Sequence, residues 1–127
     1  MNKISKEQEV ALNAVAEICY NNSVSGGWWH DINTGLPLVR NKLEMLFLIH
    51  SEVSEAGEGV RKGINDDHLP HRLMEEVELA DVLIRLFDYA KGHNLDVIGA
   101  MIEKIEYNTK REDHKVENRK KAGGKKM

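Results

Sequence analysis

Leu48-Ile49-His50-Ser51-Glu52-Val53-Ser54-Glu55-Ala56 is an apolar run that turns acidic without losing helical character. Glu78-Leu79-Ala80-Asp81-Val82 repeats the pattern further along. Residues three apart lie on one side of a helix. Glu52 with Glu55, and Glu78 with Asp81, therefore each project two carboxylates from one face. Two such helices packed antiparallel bring four carboxylates together. Like charges in apolar surroundings repel and are costly to desolvate. A divalent cation is the natural counter-charge, and hard oxygen ligands favour Mg2+, with Mn2+ also possible. Neither motif contains Glu-x-x-His, so the common di-iron carboxylate pattern is absent. The ordinary alternative is a solvated acidic face. Against it, Glu52 and Glu55 continue the row of Met45 and Leu48, and Asp81 lies one turn from Val77 and Ile84.

Working outward, the second helix is predicted from about Leu38 to Lys62. Val39, Leu43, Leu46, His50, Val53, Gly57 and Val60 form one stripe of it. Met45 to Ile49 is apolar all round, which predicts burial on every side. His50 on the apolar stripe reads as a satisfied core histidine rather than a ligand. Gly63 to Leu69 is a turn, and Pro70 suits the first turn of a third helix reaching about Lys91. That helix carries a main stripe (Leu73, Val77, Ala80, Ile84, Phe87), a second one (Leu79, Leu83, Leu86, Ala90), and the row Met74, Glu78, Asp81, Arg85. A domain this small rarely covers two apolar faces of one helix, so a subunit interface is expected.

The first helix is predicted from about Ser5 to Tyr20, with Leu12, Val15 and Cys19 on its core stripe. Asn21 to Pro37 reads as a loop holding Gly26-Gly27-Trp28-Trp29-His30. An aromatic pair there either caps the bundle or stacks on a nucleobase. Asn94 is a plausible cap for a fourth helix from about Leu95 to Asp113. On it, Lys104, Asn108 and Arg111 fall at i, i+4 and i+7: a point charge, an amide and a planar fork, all phosphate-binding types.

Length and composition set the frame. The chain has 127 residues, 31% charged and 6% aromatic, with two prolines, which suits one all-α domain. The single cysteine excludes an intrachain disulfide. Without a signal peptide or membrane-length apolar run, a soluble cytoplasmic protein is the expectation. Net charge is -3, unevenly spread: from His114 onward there are six Lys/Arg against Glu117, leaving a balance of -8 elsewhere. Residues 1–113 therefore read as the domain, and 114–127 as a basic tail that Gly123-Gly124 suggests is mobile.

Taken together, Glu52-x-x-Glu55, a 22-residue gap and Glu78-x-x-Asp81 resemble the signature of the all-α nucleoside triphosphate pyrophosphohydrolases, the MazG-like family, and in particular its small phage-type members. Lys104-x-x-x-Asn108-x-x-Arg111 resembles that family's downstream phosphate-contacting motif. The resemblance spans about Gly26 to Lys126. It implies a four-helix-bundle-like protomer in a dimer or tetramer, and hydrolysis of (d)NTP to NMP and pyrophosphate. Glu52, Glu55, Glu78 and Asp81 would be the catalytic metal ligands; the residues themselves, rather than the resemblance, offer Trp28 and Trp29 as base contacts. Many members carry an extra glutamate just before the first motif, where this chain has Ser51, so neither metal count nor an acid/base role carries over. Two alternatives stand beside this reading. One is a related enzyme, dUTPase-like or a phosphoribosyl-ATP pyrophosphohydrolase. The other is a non-enzymatic helical module whose tail binds nucleic acid, for which the basic tail is the only feature. Nucleic acid and membrane are not expected partners.

Overall fold

A computed structural model of the chain describes residues 2–127, and they are all-helical. The helices are α1 (Lys6–Ser25), α2 (Lys42–Lys62), α3 (Met74–Gly92), α4 (Val97–Lys110) and the short α5 (Val116–Arg119), with a 3-10 turn at Glu112–His114. Among the described residues, only two isolated bridges, His30 with Pro37 and Asn65 with Leu73, have extended pairing. No helix among them is long and apolar enough to cross a membrane. The chain divides into two compact units, Ala14–Leu95 and a second one combining the stretch ending at Asn13 with Asp96–Met127.

The Ala14–Leu95 unit is built on an antiparallel α2/α3 pair. Asn41 caps α2, its side chain accepting the Glu44 N–H at 3.1 Å, and Gly63 closes it at φ 63°. Gly59 lets the helices approach closely, since a Cβ there would lie 2.9 Å from Met74 Cβ. The seam then runs from Gly59 against Met74, through Glu52 against Arg85, to Met45 against His93. Trp29, Met45 and Tyr89 form the buried cluster at that far end, with Tyr20, Val24 and Ile49 packed around it.

Several expectations need correction. Helix α3 begins at Met74, not at Pro70, because Asp66 holds the preceding loop. Its buried carboxylate accepts the N–H groups of His68 and Leu69, and its own N–H donates to Arg72 O. Helix α2 starts at Lys42, leaving Val39 fully exposed, and α1 continues five residues beyond Tyr20. The stretch Met45–Ile49 is not buried on every side: Phe47 is 70% exposed. His50, expected in the core, is exposed. The stripe that meets α3 is Met45, Leu48/Ile49, Glu52, Ala56, Gly59; the stripe through Leu43, Val53 and Val60 faces outward.

In the other unit, Ser5 opens α1 with a reciprocal pair of bonds to Gln8. Asp96, not Asn94, caps α4, accepting the Gly99 N–H at 2.9 Å; Asn94 instead takes a left-handed φ of 55°. The C-terminal stretch expected to be a mobile tail carries turns, with Arg119 donating to the carbonyls of Lys125 and Lys126.

Candidate functional site

Helix periodicity brings three of the four motif acids together in the α2/α3 seam. Glu52, Glu78 and Asp81, all half-buried, each offer an oxygen within 4.8 Å of the others. Glu55 stays outside the trio and exposed, though its charge still acts on Glu78. Crowding is visible in the protonation behaviour. A hydrogen bond with Glu52, then burial, then the charges of Glu52, Asp81 and Glu55 push the Glu78 carboxyl up to about 7. Asp81 is raised by burial and by the Glu52 and Asp66 charges, with Arg85 opposing. Arg85 is the cation in contact: its Nε donates to Glu52 Oε1 at 3.1 Å. The trio is an all-oxygen donor set with surplus negative charge, which fits Mg2+ or Mn2+ and does not suit softer metals.

Asp81 also lines a cavity of about 730 Å³ within the Ala14–Leu95 unit. That is the size of small-molecule sites generally. Ile18, Met45, Leu48 and Ile84 supply apolar wall, and Asn22, Arg85 and Asp88 supply polar groups. Trp28 lines it too and is 64% exposed, its backbone fixed by Arg40 Nη1 donating to its carbonyl at 3.1 Å. Gly27, at φ 83°, makes the bend that presents this residue.

The two tryptophans have different fates. Trp29 is 8% exposed; its Nε1 donates to Asp88 Oδ1 at 2.8 Å and its ring packs edge-on against His93. Ser23 Oγ donates to the other Asp88 oxygen at 2.8 Å. Trp29 is thus a core side chain that orients Asp88, and of the expected pair only Trp28 stands at the cavity. Cys19, expected in the core, is half-buried on the cavity wall, where burial pushes its thiol up.

The expected phosphate row lies in the other unit. Lys104 and Asn108 are on α4, but Arg111 falls just beyond its end in extended backbone, so the three do not share a continuous helical face. Arg111 is held by Asp113, with Nε–Oδ1 at 3.1 Å and Nη2–Oδ2 at 2.8 Å. Lys104 Nζ sits 4.7 Å from the centre of the Tyr107 ring. Asn108 Oδ1 is buried without a hydrogen-bond partner among the described residues.

Sequence reasoning passed over Arg85, Asp88, Asn22 and Arg40. Arg85 had a signal, its place in the row of Glu78 and Asp81; the other three had none, because the cavity joins distant segments. No protein-family model, curated protein or solved structure compared with the chain matches it.

Proposed function

We propose that the protein hydrolyses (deoxy)nucleoside triphosphates to the monophosphate and pyrophosphate, as the MazG-like resemblance implies, with Mg2+ or Mn2+ as cofactor. One observation carries the reading: Asp81 belongs both to the acid trio and to the cavity that Trp28 and Arg85 line. A cation site thus adjoins a nucleotide-sized space. When bound, a divalent ion neutralises and polarises the triphosphate. The chain's own groups do the rest. Glu52, Glu78 and Asp81 hold the ion, and Glu78 gives up its proton to do so. The apolar wall excludes water from one side of the ligand. Trp28 offers a free ring for the base, and Asn22 and Asp88 offer hydrogen-bonding edges. Water adds at the α-phosphorus as its bond to the bridging oxygen breaks, and pyrophosphate leaves. Lys104, Asn108 and Arg111 are proposed as phosphate contacts on the resemblance alone, and Arg111 must first release Asp113.

The assembly is also proposed. Leu43, Leu46, Phe47 and Val53 on α2, with Leu79 and Leu83 on α3, leave apolar surface uncovered. A two-helix pair with one open face is half of a four-helix bundle, and a second copy supplies the other half. The test of function is a panel of ribo- and deoxynucleoside triphosphates, including dUTP, and phosphoribosyl-ATP, with Mg2+. Stoichiometric pyrophosphate from several triphosphates supports the reading; turnover of phosphoribosyl-ATP or dUTP alone moves it to the related enzymes, and no turnover defeats it.

A further inference from the structure

The Arg85–Glu52 pair is unevenly built. The Arg85 side chain is 44% exposed and that of Glu52 15%. Only Nε engages the carboxylate; Nη1 and Nη2 make no hydrogen bond among the described residues. The guanidinium is therefore held at one point and retains its donor fork. It lines the cavity one helical turn beyond Asp81. It also stands as counter-ion to the crowded carboxylates, since its charge opposes the rise at Asp81.

We infer that Arg85 is a phosphate-binding residue that exchanges Glu52 for the substrate's polyphosphate when a divalent cation takes its place at the acid trio. This rests on the proposed function. The physical argument is competition followed by transfer. Arg85 and the cation both draw on the Glu52 carboxylate, so each weakens the other's hold. Once the cation neutralises Glu52, the guanidinium loses the one carboxylate it bonds, and its side chain already lines the cavity. A phosphate matches its fork with two parallel N–H···O bonds, which the single contact to Glu52 does not use.

The two roles give opposite signs in one variant. Arg85→Gln removes the competing charge, so Mn2+ measured alone by electron paramagnetic resonance should bind about tenfold tighter, as for one unit charge in a partly exposed site. Binding of inorganic tripolyphosphate in the presence of Mn2+, measured by calorimetry, should weaken at least about tenfold, the loss expected for a charge-assisted pair. Arg85→Lys keeps the charge and loses the fork: its Mn2+ affinity should stay within about twofold of the parent, with tripolyphosphate still weakened. Tripolyphosphate avoids any dependence on the base. Helix content by circular dichroism is read alongside, and if Arg85→Gln fails to fold, the lysine variant decides. Weaker Mn2+ binding in Arg85→Gln would overturn the inference, because it would show a residue that merely orients Glu52. Unchanged tripolyphosphate binding in both variants would overturn it equally. If the parent binds Mn2+ and tripolyphosphate and the variants match it, only the role of Arg85 falls. If the parent binds neither, the proposed function falls and this inference with it.

Discussion

Replacing Gly92 with alanine tests how Trp29, the core ring that orients the cavity residue Asp88, is held. A Cβ at Gly92 would lie 2.1 Å from Trp29 Cζ2 and 2.2 Å from Cη2. Carbon atoms rest about 3.5–4.0 Å apart, so the ring must retreat by roughly 1.5 Å. It has little room, being packed against Tyr20 and His93 and tied to Asp88 at 2.8 Å. Overpacking costs about 1–3 kcal/mol. Losing the indole bond to a carboxylate adds about 1.5–3 kcal/mol if the ring moves far enough to break it. Alanine's better helix propensity returns at most about 1 kcal/mol, less in a last turn. The net expectation is destabilisation of about 2–4 kcal/mol, summing these terms. In a Trp29→Leu background the collision vanishes, and Gly92→Ala should be neutral or stabilising by up to about 1 kcal/mol. Urea unfolding of all four proteins, followed by circular dichroism at fixed protein concentration, gives the coupling energy directly. Equal costs in both backgrounds, within about 0.5 kcal/mol, would show that the Trp29 ring does not limit the space at Gly92.

Three further outcomes follow from the same geometry. The metal-free protein should lose stability as pH rises from about 4.5 to about 7, because folded Glu78, at about 7, keeps a proton that the unfolded chain has released. Asp81, also raised, acts in the same direction; solvent screening limits the size, and a urea midpoint no higher at pH 5 than at pH 8 would contradict the sign. Leu83, 56% exposed, should become an interface residue in the assembled protein, so Leu83→Glu should dissociate it in sedimentation; a parent that is monomeric at micromolar concentration would end that proposal. Trp28→Ala should raise KM by roughly ten- to a hundred-fold with the fold intact, since stacking is worth about 1–3 kcal/mol per base; an unchanged KM would remove Trp28 from the base site.

Much of the site follows from helical period alone. Glu52, Glu78 and Asp81 meet because each sits on the row that also carries seam residues, Met45 and Leu48 on α2 and Met74 on α3. Glu55 does not join them: Ala56, four residues on from Glu52, takes the next buried position of the seam, and Glu55 beside it is left exposed. Non-local pairing explains the rest. Arg85 meets Glu52 across 33 residues of sequence. Trp28 and Trp29 are adjacent yet opposite in fate, because Gly92, in another helix, opens space for one ring only. Pro70 is a sound helix-start signal that the Asp66 side chain overrides by closing its own turn first. Arg111 left its helical face because Asp113, two residues on, offered a two-point carboxylate.

The proposed reaction is cleavage between the α- and β-phosphorus of a nucleoside triphosphate at the α2/α3 acids. Phosphorus NMR of a triphosphate incubated with the protein and Mg2+ tests it most directly, beside a Glu52→Gln, Asp81→Asn double variant that keeps shape and removes charge. Monophosphate and pyrophosphate are expected in equal amounts from the parent, and none from the folded variant or after chelation of the metal. Diphosphate with orthophosphate as products, or an undiminished rate in the double variant, would contradict it.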